Sequence, residues 1–545
     1  MGTTMKGHDA VAQALVDQGV DTVFGVLGDA NLFIGDALMR LHDVHYVAAT
    51  HEASAVMMAQ GFTRATGRLG IATVTHGPGL TNTTTALIEG VKSATPMVLL
   101  SGDTPTLDLH HLQNVGQRQL VEATGAGFWP VRGPETIADD VATACRLARV
   151  EKRPIVLNLP LEFEWEDVDY EPTTLNLALA PSIAADDEAI DAALGLIASA
   201  RRPLLLAGRG AVQADARDAI VRLGQLLGAP LCTSLLGTGY FRDEEFDLGI
   251  FGTLATSLAS EVMMSADCVV TFGAALNKYT THEGTLLAGK KVIQIDTDAR
   301  RIGSTVPIDV GVLGDARRVA ETMADLLEVA DHEPSSFASP ELRDRIAAHQ
   351  PGGFDDLSTE RTVDPRSAVL RLDEVLPRDR TVVVDAGRFM LDALTLPVPD
   401  PLALVTTHAY GSIGLGMGAT VGAAVGRPDR PAVFMVGDGG FMMGGLAEFH
   451  TAVHNDLDVI VVLFNDGSYG AEHVQLVNKG MDTGPSLHHW PDFIAVATAM
   501  GANAVAVRSL ADFTHVEKAV VQRELGTPVF IEIAVDPDVA SRIPR

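Results

Sequence analysis

Only three cysteines occur in the 545 residues: Cys145, Cys232 and Cys268. Their number and scatter exclude a disulfide framework and a cysteine-based zinc site. No apolar run approaches the roughly 18 residues of a membrane helix. The opening Met1-Gly-Thr-Thr-Met-Lys lacks the apolar stretch of a signal peptide. Lys6 also stands where a myristoylation pattern requires Ser or Thr. Positive charge is in short supply, with 40 basic against 70 acidic residues and a formal charge of −30. Such a field repels phosphate backbones and anionic lipid heads, which argues against nucleic-acid and membrane partners. The expectation is a soluble, cytoplasmic protein.

Hydrophobic residues make up 47%, charged residues 20%, and there are 52 glycines. That is the composition of a folded α/β protein with many tight turns. In the first third, β-rich runs (residues 22–26, 45–49, 70–75, 97–102 and 154–159) alternate with amphipathic stretches (7–18, 52–66 and 82–93). Alternation at this spacing predicts right-handed crossovers and a parallel sheet covered on both faces. Residues 167–185 read as a linker, with Tyr170-Glu-Pro-Thr-Thr and Leu-Ala-Pro-Ser. A second block has strands predicted at 203–207, 268–272 and 291–295. A polar stretch from about Glu333 to Pro365 contains Gln350-Pro-Gly-Gly. A third block has strands predicted at 381–385, 432–436, 459–464 and 528–533. The expected fold class is α/β, with three doubly wound parallel-sheet domains at 1–170, 185–335 and 365–545.

The most informative segment runs Val433-Phe-Met-Val-Gly437-Asp438-Gly439-Gly440. A second strand end, Phe464-Asn465-Asp466-Gly467-Ser468-Tyr469-Gly470, brings another acid and amide 27 positions after Asp438. Two parallel strand ends place these groups at one crevice, where open α/β sheets bind ligands. Hard oxygen donors suit Mg²⁺, which keeps phosphate oxygens in its shell. Gly439 and Gly440 let backbone N–H groups approach a diphosphate at a helix N-terminus. Taken alone, Gly-Asp-Gly is an ordinary turn after a strand; the second strand end weakens that reading.

With these motifs the chain resembles, over almost its whole length, the thiamine diphosphate (ThDP) enzymes of the pyruvate decarboxylase and acetolactate synthase group, which include benzoylformate decarboxylase-like proteins. Their signature is Gly-Asp-Gly, a spacer, then Asn-Asn. The resemblance implies that Asp438 and the later residue of the pair hold Mg²⁺, with a backbone carbonyl two residues on. The pair here is Asn-Asp, and one extra residue lies in Met442-Met-Gly-Gly-Leu. Aligning on Gly467-Ser-Tyr-Gly makes Asp466 the ligand and Ser468 the carbonyl donor, whereas counting from Asp438 favours Asn465; Asp466 is preferred. Gly437 and Tyr469 flank this cofactor site.

Thr50-His51-Glu52-Ala-Ser-Ala opens a helix after a strand. An acid in the first helical turn is commonly a partner of the helix dipole. The resemblance implies more: a Glu here hydrogen-bonds the ThDP aminopyrimidine and promotes the imino tautomer that removes the C2 proton, which suits a carboxyl in an apolar crevice. Glu52 and Asp438 lie on different blocks, which in this family come from different subunits. At least a homodimer is therefore implied, with a homotetramer expected. Ala409-Tyr-Gly411-Ser412-Ile413-Gly414 is similar to the decarboxylase segment whose branched residue wedges beneath the cofactor while a glycine carbonyl receives its amine, roles that fall to Ile413 and Gly411. Asp385-Ala-Gly387-Arg388 ends another strand and is expected against the diphosphate; a surface role for Arg388 is the alternative.

The polar cap that decides the reaction gives mixed signals. Gly28-Asp29-Ala-Asn31-Leu resembles a decarboxylase segment whose Asp relays protons. His110-His111 matches the paired histidines of the same enzymes, while Gln113 fits a glutamine of the acetolactate synthases. Glu472 aligns with a second decarboxylase Glu. Acids and imidazoles are what protonation of a carbanion needs. The bland alternatives are a turn, a solvated loop and an exposed helix residue. Thr75-His76-Gly-Pro-Gly-Leu-Thr-Asn82 looks like the synthase branch, yet His76 replaces its Ser and brings a group that titrates near neutrality. Phe272-Gly-Ala-Ala-Leu-Asn277-Lys278-Tyr stands where those synthases carry an Arg/Asp-rich flavin-binding motif, which argues against FAD. The expectation is a ThDP- and Mg²⁺-dependent lyase or carboligase acting on a 2-oxo acid or diketone. The rivals are an acetolactate synthase-like transferase, a flavin-linked oxidase of the same fold, and a cofactor-binding protein without catalysis.

Overall fold

The computed structural model describes residues 3–108, 110–173, 183–350 and 353–539. It contains three six-stranded sheets, each flanked by helices. In the first, the strands lie in the order His45–Ala48, Thr22–Gly25, Gly70–Val74, Met97–Asp103, Pro154–Pro160, Gly127–Pro130, all parallel. In the third, the order is Leu404–Thr406, Thr381–Val384, Ala432–Gly437, Val459–Asn465, Val529–Ala534, Asn503–Val507, with its paired strands running parallel. Numbered along the chain, both orders read 2-1-3-4-6-5. The middle sheet runs Asp247–Ile250, Leu231–Thr233, Pro203–Ala207, Cys268–Phe272, Lys291–Asp296, Val310–Leu313, which reads 3-2-1-4-5-6. The outer domains thus share one topology and the middle domain has another.

Central strands such as Gly70–Val74, Cys268–Phe272 and Thr381–Val384 are buried at every position. Helices cover both faces, and this is why their sequences are continuous apolar runs. Short edge strands, among them Gly127–Pro130, Val310–Leu313 and Asn503–Val507, were absent from the sequence reading. So was an antiparallel pair, Thr3–Lys6 with Asp167–Tyr170. That pair corrects the linker expected from residue 167: Asp167–Tyr170 alternates exposed and buried positions as an edge strand does. The Leu-Ala-Pro-Ser part of that linker lies outside the described residues, as does Pro351-Gly352. The polar stretch after Glu333 holds a helix, Pro340–Ala348.

By packing, the chain divides into two compact units. The first joins residues 1–179, 355–396 and 405–545; the second holds 180–354 and 397–404. Helices α1 (Glu52–Thr66), α2 (Thr84–Lys92), α3 (Gly416–Gly426), α4 (Leu446–His454) and α5 (Gly470–Asn478) belong to the first unit. The outer domains merge because α1 and α3 touch backbone to backbone. A Cβ on Gly422 would lie 1.8 Å from the Met58 carbonyl oxygen, and one on Gly61 2.0 Å from that of Ala419. The glycine-rich run 409–420 therefore splits into a loop up to Leu415 and a close-packed helix. Among the described residues no helix is long and apolar enough to cross a membrane.

Candidate functional site

In both outer sheets the strand order reverses between the first and third strands, and loops leaving those strand ends frame a crevice. In the third domain these are Asp385–Arg388 and Gly437–Gly440. Asp438 is buried. Its Oδ1 accepts from Gly439 N–H (2.7 Å), and its Oδ2 accepts from Gly467 N–H (2.8 Å) and Trp490 Nε1–H (2.9 Å). Burial, reinforced by the charge of Asp466, pushes Asp438 up to about 7. Burial also raises Asp466, whose Oδ1 accepts from the Ser468 N–H (2.9 Å) and hydroxyl (2.8 Å). Asn465 is engaged elsewhere. Its Nδ2 donates to Glu532 Oε1 (2.7 Å), and its Oδ1 accepts from Gly467 N–H (3.1 Å). The Met442 segment forms a π-helical turn, Phe441–Gly445, between Asp438 and Val459–Asn465, and such a turn accommodates one residue more than an α-helical turn.

This donor set fits a hard divalent cation beside a diphosphate. The charge of Asp466 adds to burial in raising the proton affinity of Asp438, and a bound cation would offset that repulsion. Among the described residues no three acidic, His or Cys side chains converge on a metal position. The remaining positions would fall to carbonyl, water and phosphate oxygens, as Mg²⁺ prefers. Arg388 is mostly buried: Nη1 donates to the Pro537 carbonyl and lies 4.0 Å from Asp466 Oδ2, while Nη2 has no partner. An orphaned guanidinium nitrogen suits an anionic ligand. Gly439 and Gly440 leave room in the cradle, since a Cβ there would meet the Tyr469 ring at 2.6 Å and Asp385 Oδ2 at 2.9 Å. Gly387 adopts φ +151° at the same edge.

The 409–414 loop rests on this cradle. Gly411 and Gly414 have φ of +83° and +84°, which side-chain-bearing residues rarely adopt. Gly414 N–H donates to Asp385 Oδ2 (2.8 Å), Thr407 Oγ1 donates to its Oδ1 (2.9 Å), and burial pushes Asp385 up to about 6. Ser412 Oγ donates to the Ile413 carbonyl (3.2 Å). Tyr469, His488 and Trp490 form an aromatic wall, with His488 at 4.4 Å from Tyr469 and 4.6 Å from Trp490 between ring centroids. His488 and Trp490 were missed from sequence, because they arrive only when Ser468 pairs with Leu487.

In the first domain the crevice is framed by Val26–Asn31 and Thr75–Gly79. Buried Asn31 accepts from Gly28 N–H (2.8 Å) and donates to the Val26 carbonyl and Thr73 Oγ1 (both 3.1 Å), fixing the loop that displays exposed Asp29. His76 is buried, with its ring edge-on to His111 at 5.2 Å between centroids and Nε2 without a hydrogen bond. Burial, then the His111 ring, lowers His76; the Asp29 and Asp103 charges and the nearby Gln113 amide oppose this. His111 Nδ1 accepts from Gln113 N–H (3.2 Å). Buried Gln117 ties the loops together, accepting from Gly77 N–H (2.8 Å) and donating to the Gly102 carbonyl (2.9 Å). Glu52 is the first residue of α1, whose N-terminus His51 caps through Nδ1 (3.1 Å from Ala53 N), and Glu52 Oε2 accepts from Asn82 Nδ2 (2.9 Å).

The structure thus gathers two groups of sequence-predicted residues. One is Asp29, His76, His111 and Gln113; the other is Asp438, Asp466, Ser468, Arg388 and the 411–414 loop. His110 is exposed, and Glu472 is exposed in the first turn of α5. Among the described residues no hydrogen bond or ion pair joins Glu52 to the Asp438 group within one chain.

Comparison with known proteins identifies the domains. Residues 5–123, 190–323 and 385–533 match the thiamine pyrophosphate enzyme N-terminal TPP binding, central and C-terminal TPP binding domains, respectively. The acetolactate synthase isozyme 3 large subunit of Escherichia coli is 28% identical, over 98% of this chain and 95% of its own. The sulfoacetaldehyde acetyltransferase of Rhodobacter capsulatus is 28% identical over 99% and 96%. A protein of Pseudomonas aeruginosa named "Probable 2-ketoarginine decarboxylase AruI" is 28% identical over 94% and 91%. The chain belongs to the thiamine pyrophosphate (ThDP) enzymes, and these relatives carry the names of a synthase, an acetyltransferase and a decarboxylase.

Proposed function

We propose that the protein is a ThDP- and Mg²⁺-dependent carbon–carbon lyase with carboligase capacity. It would act on a 2-oxo acid or diketone without net oxidation, so that a 2-oxo acid and a proton give an aldehyde and CO2. When bound, ThDP supplies the carbon nucleophile and the electron sink for this chemistry. Residues 1–170 would hold the aminopyrimidine, with Glu52 sharing a proton with its ring. Residues 365–545 would hold the diphosphate and Mg²⁺ through Asp438, Asp466 and the Ser468 carbonyl, with Arg388 against the phosphate oxygens. Ile413 would support the cofactor from beneath, and the Gly411 carbonyl would accept its amine. Residues 185–335 form the middle domain. The two halves of each site would come from different subunits of a cytoplasmic homotetramer.

The observation that carries the lyase reading is the His76–His111 pair beside Asp29 and Gln113. Proton donors and acceptors gathered at one crevice suit delivery of a proton to a carbanion. Burial favours the neutral form of His76, which can donate a hydrogen bond to a substrate oxygen or accept a proton. His110, from an exposed loop, and Glu472, from the exposed first turn of α5, would join the cap. A second reading, transfer of the acyl fragment to another molecule, draws support from the relatives named acetolactate synthase and acetyltransferase. Glu52→Gln tests the mechanism. Turnover of any accepted 2-oxo acid is expected to fall by about a hundredfold or more at saturating ThDP, and near-normal turnover would remove Glu52 from the account.

A further inference from the structure

Two buried carboxylates lie outside the roles described so far, and each joins the two outer domains of one chain. Glu448, on α4, is 1% exposed. Its Oε1 accepts from Thr50 N–H (2.9 Å), Thr50 Oγ1 (2.5 Å) and His51 N–H (3.0 Å), and its Oε2 accepts from Thr451 Oγ1 (2.9 Å). Glu89, on α2, is also 1% exposed. It accepts from Ala409 N–H (3.0 Å) through Oε1 and from Tyr410 N–H (2.7 Å) through Oε2.

The two arrangements correspond. Each acid sits on a helix that follows the third strand of its own domain, and each receives N–H groups that follow the second strand of the other domain. Shared sheet order makes the contacts reciprocal. What they hold is specific: Glu52 is the residue after His51, and Gly411 the residue after Tyr410. The helix does not need Glu448 for capping, because the His51 side chain already accepts from Ala53 N–H. Glu448 instead fixes the two amides leading into the helix. Burying a carboxyl is an expensive way to satisfy backbone donors unless its geometry matters, and burial raises Glu89.

We propose that Glu448 and Glu89 are positioning residues, each fixing from the opposite domain the segment that presents Glu52 or Gly411 to the cofactor. This rests on the ThDP reading of the site. One subunit would thus link a half-site of one cofactor to a half-site of another, since Glu52 and Gly411 of a single chain serve different cofactors in the proposed assembly.

The test uses the full chain with Glu448→Ala, Glu448→Gln, Glu448→Asp and, as reference, Glu52→Gln. Backbone amide hydrogen exchange at Thr50 and His51 is measured without cofactor, and C2–H exchange of ThDP is measured at saturating ThDP and Mg²⁺. Glu448→Ala is expected to lose protection at both amides and to slow C2–H exchange by about tenfold or more. Glu448→Gln keeps an oxygen for both amides and an NH2 for Thr451, so it should stay within about threefold of the unaltered protein. C2–H exchange unchanged in a folded Glu448→Ala protein, or Glu448→Gln as impaired as Glu448→Ala, overturns the proposal. If Glu448→Ala does not fold, Glu448→Asp decides: one methylene short, it should slow C2–H exchange at unchanged thermal stability, and an unchanged rate overturns the proposal. Glu52→Gln separates the two levels. If it leaves C2–H exchange intact, the reading of the site fails; if it alone is impaired, only the positioning roles fail.

Discussion

The raised proton affinity of Asp438 makes a quantitative prediction about the cofactor-free protein. Its carboxyl is held at about 7 against an ordinary 3.8. Below pH 3.8 it is protonated in both folded and unfolded chains and contributes nothing. As pH rises further, the unfolded chain releases the proton first, so folding stability falls until about pH 7, where the loss is complete. Between pH 5 and 8 two pH units of this window are crossed, which at 1.36 kcal/mol per unit is about 3 kcal/mol. Taking 2.1 cal/mol/K per residue over the roughly 360 residues of the larger unit, the melting midpoint moves by about 4 °C. Other groups titrate in the same range, so the measurement is a difference between the unaltered protein and Asp438→Asn. The amide keeps an oxygen for Gly439 N–H and loses acceptance from Gly467 and Trp490, an offset that does not depend on pH. Fluorimetric melting of the metal-free proteins should show the Asn variant gaining by about 4 °C relative to the unaltered protein from pH 5 to 8. Mg²⁺ with ThDP should stabilise the unaltered protein more at pH 8 than at pH 5, and Asp438→Asn little at either. Parallel melting curves for the two proteins across this range would refute the reasoning.

His76→Ala should lower kcat/KM for an accepted 2-oxo acid by about tenfold or more, while ThDP affinity by titration calorimetry stays unchanged; a loss of ThDP affinity would place His76 with the cofactor instead. Glu164 is fully buried with both carboxyl oxygens unpartnered, and burial pushes it up to about 8. Folded-state retention of that proton means stability falls as pH rises toward 8, so Glu164→Gln should raise the melting midpoint more at pH 9 than at pH 6, and equal gains at both would contradict this.

Sequence conveyed the central architecture because buried parallel strands are continuous apolar runs; Val459–Asn465 and Cys268–Phe272 stand within a residue of their expected limits. Edge strands such as Leu404–Thr406 and Gly127–Pro130 are three or four residues long and pair on one side only, so little periodicity marks them. Asp167–Tyr170 was invisible for another reason: its partner, Thr3–Lys6, lies far away in sequence. At the site, Asp438 and Glu52 could be picked because a motif and a helix start mark them. His76 and His111, 35 positions apart, could be named singly, but their ring contact depends on the fold. Trp490, His488, Glu89 and Glu448 carry no local signal. Each reaches the site through a loop pairing or a contact between domains.

The central claim is that the bound cofactor serves non-oxidative cleavage, with protonation of the remaining fragment. Its most direct test supplies a panel of carboxyl- and carbonyl-labelled 2-oxo acids, pyruvate and aromatic ones included, with ThDP and Mg²⁺ and no electron acceptor, and follows the labels by NMR. Labelled CO2 is expected from the carboxyl group and labelled aldehyde or acyloin from the carbonyl, both lost in Glu52→Gln. Carbonyl label appearing only in a 2-hydroxy-2-acyl acid, or CO2 released only when an electron acceptor is added, would contradict it.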